Sequence, residues 1–295
     1  MQFIVLGAAA GGGLPQWNCG CRNCNDARSG KIPPSGQSSL AVSASGREWS
    51  ILNASPDIRQ QLLLASQLHP ASLRHTPVSS VLLTNGDIDH IAGLLSLREQ
   101  TPFRLLATRD ILNVLKDNKV FDALSADKVS REPISLEQPI MLHEGLFAQL
   151  FAVPGKVPLF MEGAEVNTNL IGEQTVGVRL STASHVAYYI PGCAHVPDEL
   201  IERLLDAEHL FFDGTLWTNN EMQDSGTGSK TGERMGHIAI SGPEGSMARL
   251  QGLTMNKTYI HINNTNPVLQ PGGPQRTAVQ QAGWQIAYDG MEISL

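Results

Sequence analysis

The sequence of 295 residues contains 41% hydrophobic and 17% charged residues, which supports a buried core and excludes general disorder. At pH 7 its formal net charge is −7, and no run of Lys or Arg exceeds two residues. Nucleic acid is therefore not an expected partner, because sequence-independent binding to it depends on clustered cations.

The first residues, 1–7, have neither the basic start nor the long apolar segment of a signal peptide. No apolar stretch reaches the ~18 residues that a transmembrane helix needs. We therefore expect a cytoplasmic protein that does not insert into a membrane.

Hydrophobic periodicity predicts a chain in which strands alternate with helices. The predicted strands cover residues 3–6, 78–83, 103–107, 145–153, 174–180, 185–190, 209–212, 257–262 and 284–288. The predicted helices cover residues 55–68, 90–100, 108–116, 197–205, 243–250 and 275–282. The polar, Gly-rich residues 219–236 predict a mobile loop, a candidate lid. No composition shift marks a linker, so we expect residues 1–295 to form one α+β domain of two packed sheets with helices outside.

Three of the four cysteines lie in the C-x-C-x2-C motif of residues 19–24. Such short spacings let one loop supply several thiolates to a tetrahedral zinc ion, so Cys19, Cys21 and Cys24 predict a structural zinc loop. Disulfides between such close neighbours are not expected, and a redox C-x-x-C is disfavoured because no clear helix is predicted after it. The candidates for the fourth ligand are His261, Asn264 and Cys193. Cys193 also fits an ordinary buried thiol.

A second group of polar side chains follows the predicted strand 78–83. Asn85, Asp87 and Asp89 occupy alternate positions and can point the same way from an extended loop, after which His90 begins a predicted helix. This pattern predicts a metal site. The alternative is a helix-capping aspartate with solvated neighbours.

Residues 84–90 resemble the T-H-x-H-x-D-H signature of the metallo-β-lactamase superfamily, with Asn85 and Asp87 where histidines usually stand. Residues 153–156 resemble the segment that carries another metal histidine, but Lys156 takes its place. Three later segments also resemble landmarks of this superfamily: residues 211–215, 236–237 and 260–264. The resemblance implies a metallo-β-lactamase-like αββα sandwich, in which two mixed sheets pack together with helices outside.

The full length resembles the members of this superfamily that act in the biosynthesis of the cofactor pyrroloquinoline quinone (PQQ), most specifically at residues 7–19, 84–90 and 263–267. This resemblance implies iron- and oxygen-dependent hydroxylation of the tyrosine ring of a Glu-Tyr fragment from a precursor peptide. It also implies other PQQ-pathway proteins as partners, and a homodimer is a further expectation. A relative in phosphonate metabolism shares the cysteine loop and the ending at residues 288–293.

The departures from the superfamily pattern reduce the expected active-site ligands to one mixed set of carboxylates and imidazoles. Asp89, His90 and His261 are expected to hold a metal ion, with Asp87 as a ligand or a close neighbour. Two histidines and one carboxylate with open positions suit non-haem iron(II) and oxygen. Iron(II) is therefore the expected metal, with zinc as the alternative in protein as isolated.

Four further residues are expected to bind the substrate or to transfer protons. Asn85 is expected to hydrogen-bond a bound water or substrate, and Lys156 either holds a substrate carboxylate or is a solvated surface lysine. Asp213 and His237 are expected to line the pocket and to shuttle protons, for which a histidine pKa of about 6.5 is suited.

Two other functions remain open at this point. A hydrolase of the superfamily would hold two metal ions that activate a water molecule. A carrier would help to move PQQ or its precursor toward the periplasm. A dinucleotide-binding enzyme is disfavoured, because residues 7–13 do not match G-x-G-x-x-G and lead into the cysteine loop instead of a helix.

Overall fold

Short apolar segments bounded by Gly, Pro and polar turns form fourteen strands in the computed structural model, which describes residues 1–163 and 166–295. The strands are β1 (Gln2–Gly7), β2 (Ser39–Ser43), β3 (Trp49–Leu52), β4 (Val78–Leu82), β5 (Phe103–Ala107), β6 (Val129–Pro133), β7 (Pro139–His143), β8 (Leu146–Ala152), β9 (Val176–Ser181), β10 (Val186–Ile190), β11 (His209–Asp213), β12 (Asn256–Ile260), β13 (Trp284–Ile286) and β14 (Glu292–Ser294). Within the described residues they form two seven-stranded sheets, in the orders β14-β1-β2-β3-β4-β5-β6 and β13-β12-β11-β10-β9-β8-β7.

Each sheet combines parallel and antiparallel pairs of strands. Strands β3 to β6 are parallel neighbours in the first sheet, and strands β10 to β13 are parallel neighbours in the second. The other pairs are antiparallel. Parallel strands place their carboxyl ends at the same edge of a sheet, so the loops after β11 and β12 begin side by side.

Nine α-helices occur in the described residues: α1 (Arg22–Arg28), α2 (Ile58–Leu64), α3 (Ile88–Ile91), α4 (Arg109–Asp117), α5 (Asp198–Arg203), α6 (Glu221–Asp224), α7 (Gly232–Met235), α8 (Ser246–Arg249) and α9 (Pro274–Gln281). Thr108 caps helix α4, because its hydroxyl accepts the N–H of Ile111. In the part of the chain that the structure describes, every helix is too short or too polar to cross a membrane.

The two sheets pack face to face around a shared apolar core. Phe3 of β1 contacts Phe211 of β11, with ring centroids 5.2 Å apart. Leu105 of β5 and Leu150 of β8 are fully buried in the same cluster. Burial of each such side chain stabilises the fold by about 1.5–3 kcal/mol. The predicted α+β sandwich of two mixed sheets is confirmed.

Five strands were missed by the sequence pattern: β2, β3, β6, β7 and β14. Strands β2 and β3 carry serines among their apolar residues, which hides the pattern of a buried strand. The buried Ser39 hydroxyl donates to the backbone oxygen of Asn53 at 2.7 Å. The hydroxyls of Ser50 and Ser80 share a hydrogen bond of 2.7 Å. Because these hydroxyls have partners, they can be buried at little cost.

The predicted helix at residues 90–100 is wrong. Helix α3 ends at Ile91, and a 3-10 turn, Ala92–Leu97, takes the place of the remainder. Gly93 explains the change, because its N–H donates to the oxygen of Ala54 at 2.9 Å. A Cβ atom on Gly93 would lie 2.0 Å from the oxygen of Ser55, so only glycine permits this contact.

The predicted helices at residues 55–68, 197–205 and 243–250 are shorter in the structure, where they correspond to α2, α5 and α8. The first begins late, since the Ser55 hydroxyl accepts the N–H of Asp57 at 3.2 Å and holds that residue outside the helix. The local side-chain bond therefore competes with the helical path.

Two segments that were expected to lack helices contain them. Helix α1 begins inside the cysteine motif, so the expectation that no clear helix follows it was wrong. Residues 219–236 contain α6 and α7 instead of a continuous loop. Asn219 links the start of this segment to the first turn of α7. Its backbone oxygen accepts the N–H of Gly232 at 2.8 Å, and its side chain accepts the N–H of Glu233 at 2.9 Å.

Candidate active site and metal centres

Polar residues from both sheets meet beyond the carboxyl ends of β4, β11 and β12. Asp89 and His90 lie on α3, which follows β4. Asp213 is the last residue of β11, and His261 directly follows β12. His261 has a φ of 60°, in the left-handed region that side chains other than glycine seldom adopt. Backbone strain of this kind is concentrated at functional sites.

The first metal cluster consists of Asp89, His90 and His261, whose donor atoms all lie within 4.8 Å of one another. His261 Nε2 lies 3.0 Å from Asp89 Oδ2, and His90 Nε2 lies 3.9 Å from the same oxygen. The buried His90 Nε2 has no hydrogen-bond partner among the described residues. A buried, unpartnered imidazole nitrogen beside a carboxylate and a second imidazole fits a metal ligand set. The structure thus brings together the three ligands expected from the sequence.

The charges of this cluster favour the metal-binding forms of Asp89 and His90, whereas His261 must release a proton to bind a metal ion. Burial opposes ionisation of Asp89, but the charge of His90 and the hydrogen bond with His261 outweigh it and hold the pKa of Asp89 well below its usual range. Burial lowers the pKa of His90 to about 4, against the opposing effect of Asp89. Burial also acts to lower the pKa of His261, but the hydrogen bond and charge of Asp89 raise it overall. An ionised carboxylate beside a neutral imidazole is ready to bind a metal ion.

Asn85 orients His90. The Asn85 Oδ1 atom accepts the backbone N–H of Asp87 at 3.0 Å and lies 2.7 Å from His90 Nδ1. Because an amide oxygen only accepts, Nδ1 carries the proton of the neutral ring and Nε2 keeps its lone pair for the cluster. In the structure this oxygen is therefore engaged by His90 and Asp87, whereas a water or substrate was its expected partner.

The second metal cluster consists of Asp213, His237 and His261, with donor atoms again within 4.8 Å of one another. The buried Asp213 Oδ2 lies 2.7 Å from His237 Nδ1 and accepts the N–H of Cys193 at 2.9 Å. Burial opposes its ionisation, but the charge and hydrogen bond of His237 hold the pKa of Asp213 below its usual range. The His237 and His261 rings stack with their centroids 5.1 Å apart. Both clusters therefore share one imidazole.

Thr215 links the two clusters and was not singled out by the sequence. Its hydroxyl lies 2.6 Å from Asp213 Oδ1 and 2.8 Å from His261 Nδ1. Since the ionised carboxylate can only accept, the hydroxyl donates to Asp213 and accepts the Nδ1 proton of His261. In this structure His261 Nε2 donates to the ionised Asp89 Oδ2 at 3.0 Å, and loss of that proton frees the Nε2 lone pair for a metal ion. A threonine carries no metal-ligand pattern, and its only signal was its place two residues after Asp213.

Replacing Thr215 by valine should lower the affinity of the first metal cluster for metal about 10–100-fold, as loss of a residue that orients a ligand does. Valine keeps the shape but removes the hydroxyl, so His261 loses its fixed tautomer. Thr215→Ser keeps the hydroxyl and should bind as the wild type does. The measurement is competition for Zn²⁺ with a chelator of known affinity. Equal affinity for the valine and serine variants would contradict the assigned role.

Asp87 and Lys156 lie beside the clusters. The half-buried Asp87 accepts the N–H of Leu159 at 3.3 Å, and burial together with the charge of Asp89 raises the pKa of Asp87. Lys156 Nζ lies 2.9 Å from Glu162 Oε1, and Arg234 binds the other oxygen of Glu162 at 2.9 Å. These two cations, Arg234 first, lower the pKa of Glu162 to about 2. Lys156 therefore already holds a carboxylate, one supplied by this chain, and is not a solvated surface lysine.

The cysteine cluster consists of Cys19, Cys21 and Cys24, whose sulfurs lie within 4.8 Å of one another. The amide Nδ2 of the buried Asn264 lies 3.2, 3.6 and 3.3 Å from these three sulfurs in turn. Its Oδ1 is buried and has no hydrogen-bond partner in the described part of the chain. Rotation of the amide by 180° directs this oxygen at the sulfurs and completes four donors, as a structural zinc site requires.

The other two candidates for the fourth zinc ligand lie elsewhere. His261 belongs to both active-site clusters. The Cys193 thiol is buried and donates to the backbone oxygen of His195 at 3.0 Å, and burial raises its pKa well above the usual range. Cys193 is thus a protonated structural thiol.

Glu221 of α6 supports the loop that carries Asn264. Its carboxylate accepts the N–H of Trp217 at 2.6 Å and the hydroxyl of Thr265 at 2.5 Å. Burial raises the pKa of Glu221 to about 7, although these hydrogen bonds oppose the shift. The folded protein therefore binds a proton at Glu221 more tightly than the unfolded chain does.

Glu221 should make the protein less stable as the pH rises from about 4.5 to about 7. In this window the folded state retains the proton that the unfolded state has lost, so its contribution to stability falls by up to about 3 kcal/mol, at 1.36 kcal/mol per pKa unit. Glu221→Gln removes this dependence, so its Tm should rise relative to the wild type across the window. Thermal melts at several pH values check this, with exposed Glu199→Gln as the matched control. Parallel Tm profiles for wild type and Glu221→Gln would contradict it.

Comparisons with known proteins place the chain in a family. Residues 48–262 match the model of the Beta-lactamase superfamily domain. The chain is 69% identical to coenzyme PQQ synthesis protein B of Ruegeria pomeroyi over 100% of both chains. It is 52% identical to the protein of the same name from Rhizobium meliloti, over 100% of this chain and 98% of the relative.

Solved structures agree with these matches. The crystal structure of Zn²⁺-bound PqqB from Methylobacterium extorquens superposes with a TM-score of 0.98 at 47% identity and covers 100% of both chains. A diphosphatase from the PhnP family shares the fold alone, with a TM-score of 0.71 at 21% identity over 100% of this chain and 97% of the other. The chain therefore belongs to the coenzyme PQQ synthesis protein B family of the β-lactamase superfamily.

Proposed function

We propose that this chain acts in PQQ biosynthesis as an iron- and oxygen-dependent hydroxylase. Its substrate is the tyrosine ring of a small Glu-Tyr fragment from a precursor peptide, and it works in the cytoplasm with other PQQ-pathway proteins. The shared name of its relatives, coenzyme PQQ synthesis protein B, supports the pathway. The choice of reaction rests on the site.

The first metal cluster is the observation that carries the reaction. Asp89, His90 and His261 supply one carboxylate and two imidazoles within 4.8 Å of one another. This is the ligand set of non-haem iron(II) proteins that use oxygen, and iron(II) held there supplies the one-electron chemistry that oxygen requires. The unpartnered His90 Nε2 and the ionised Asp89 are both in the form that the ion needs.

The proposed reaction converts one ring C–H bond into C–OH. One atom of O₂ enters the ring and the other leaves as water, with two electrons and two protons from an external reductant. His237 is the group that exchanges protons, because Asp213 holds its Nδ1 proton at 2.7 Å and leaves Nε2 free. Lys156 binds the substrate carboxylate, which takes the place of Glu162.

We also propose that Cys19, Cys21, Cys24 and Asn264 hold a structural zinc ion. The convergence of three sulfurs on one amide side chain supports this set. Residues 1–295 then form one domain that includes the zinc loop at 19–24. The pairing of β1 with β14, which places the first and last strands side by side, supports a single unit.

A metal-dependent hydrolase is the second candidate, and the second metal cluster favours it. Asp213, His237 and His261 provide a further set of three donors. Ions at both clusters would activate a water molecule for attack, as in two-metal hydrolases.

The test loads the purified full chain with iron(II) under anaerobic conditions. The dipeptide Glu-Tyr, ascorbate and isotopically labelled O₂ are then added, and the product is analysed by mass spectrometry. We expect one labelled oxygen atom in the tyrosine ring. Zinc-loaded protein and iron without protein are the controls, and neither should give labelled product.

Two other outcomes would replace the proposal. Hydrolytic activity with two zinc ions in each active site, besides the structural zinc ion of the cysteine cluster, would favour the hydrolase if it is kept after removal of iron. Saturable binding of PQQ or its precursor, without chemical change under any metal condition, would favour the carrier role toward the periplasm.

A further inference from the structure

A cavity of about 400 Å³ lies beside the segment that carries His261. Ile262 lines this cavity, whereas the preceding residue, His261, contributes to the metal clusters. The backbone of Ile262 donates to the oxygen of Ala8 at 2.8 Å and accepts the N–H of Ala10 at 2.9 Å, which fixes the position of Ile262. The volume of the cavity falls in the range of about 300–1,000 Å³ that is typical of small-molecule sites.

The lining of this cavity is mostly apolar. Leu14 and Ile32 are buried and Leu269 is half-buried, and their side chains offer a hydrophobic surface to a ligand. A ligand that fits must therefore have a substantial apolar body, because a polar molecule would lose its hydration there without replacement.

One cation faces this apolar surface. Arg276 of α9 is half-buried, and its Nη1 donates to the backbone oxygen of Val268 at 3.1 Å. In the described part of the chain, Arg276 forms no ion pair with a carboxylate. Gln280 lies one helical turn further along and lines the same cavity. The guanidinium thus keeps donors for an anion, and its planar fork matches a carboxylate.

Asp289 also lines the cavity but does not neutralise Arg276. Its oxygens accept the N–H of Ala8 at 3.0 Å, the N–H of Gly36 at 2.6 Å and the hydroxyl of Ser35 at 2.5 Å. These bonds use the carboxylate to fasten the surrounding loops. Burial raises the pKa of Asp289, although these hydrogen bonds oppose the shift.

We propose that this cavity is a second binding site, for a small apolar monocarboxylate. The ligand's ring or aliphatic body packs against Leu14, Ile32 and Leu269, and its carboxylate pairs with Arg276. A single guanidinium selects a monoanion, and the apolar walls select against small polar acids. The site is separate from the metal clusters, whose ligands do not line it.

Calorimetric titration of the full chain with 2-naphthoate tests this site. We expect saturable binding with one molecule per chain. Arg276→Gln should weaken this binding at least tenfold, and Arg276→Lys, which keeps the charge but loses the planar fork, should weaken it less. Arg47→Gln, at an exposed arginine outside the cavity, is the matched control and should bind as the wild type does.

Two further titrations locate the bound carboxylate. The neutral analogue 2-naphthalenemethanol should bind the wild type and Arg276→Gln equally. The His90→Ala variant should bind 2-naphthoate normally, because His90 lies outside the cavity. No saturable binding of 2-naphthoate to the wild type would overturn the proposal. Binding that survives Arg276→Gln but disappears in His90→Ala would also overturn it, since the carboxylate would then occupy the metal site. Matching melting curves for the variants show that the fold is intact.

Discussion

Replacement of His90 by alanine is expected to remove the active-site metal ion and the proposed hydroxylation together. Among residues 1–163 and 166–295, His90 Nε2 is buried without a hydrogen-bond partner, so its loss removes one donor atom from the first metal cluster. The loss should exceed the roughly 10–100-fold that follows loss of a residue that only orients a ligand. Iron(II) bound per chain and labelled oxygen incorporated per minute are the two measurements.

The matched control for this variant is His75→Ala, since His75 is exposed and belongs to neither active-site cluster. It should retain metal and activity. The metal measurement remains informative even without turnover, so it separates failure of the ligand assignment from failure of the proposed reaction. Wild-type iron content in His90→Ala, with an unchanged melting curve, would show that the first metal cluster does not hold the ion.

The variant Cys24→Ser is expected to lose one zinc ion per chain and much of the stability of the fold. Cys24 is fully buried against Ala27 and Ile32, so the sulfur cluster fastens α1 to the core. Structural zinc contributes its binding energy to folding, and loss of about 3 kcal/mol or more lowers the Tm by about 10 °C. Zinc analysis of purified protein and a thermal melt measure both effects.

Cys193→Ser makes the same chemical change at an equally buried position outside the cysteine cluster. It should keep its zinc, because the Cys193 thiol only donates to a backbone oxygen, as serine can. Equal zinc content in the Cys24 and Cys193 variants would exclude the cysteine cluster as the zinc site.

The polar part of the site was predictable where residues form a local pattern. Asp89 and His90 follow a predicted strand at a spacing typical of metal ligands, and their resemblance to a known signature pointed to His261 far along the chain. Thr215 was not predictable, because a hydroxyl that orients a histidine has no characteristic spacing. The role of Glu162, which pairs with Lys156, depends on a contact between loops that no periodicity shows.

The fold was predictable at the level of layers and less so in its helices. Apolar runs such as β8 and β10 are recognisable as strands from the sequence alone. The serines of β2, in contrast, are buried only because Asn53 and other partners accept their hydroxyls. Residues 90–100 have the apolar spacing of an α-helix. The backbone of Ala54 and Ser55 packs so closely against Gly93, however, that residues 92–97 form a 3-10 helix instead. Tertiary contacts of this kind override local propensity.

His261 belongs to both metal clusters, yet a neutral imidazole offers a single lone pair. Thr215 engages its Nδ1, so only Nε2 is available to an ion. An ion that took this nitrogen would leave the other cluster with Asp213 and His237 alone, so we expect occupation of the two clusters to be anticooperative. The number of ions that the chain retains would then depend on competition for one nitrogen atom, and not on the total count of acidic and imidazole side chains nearby.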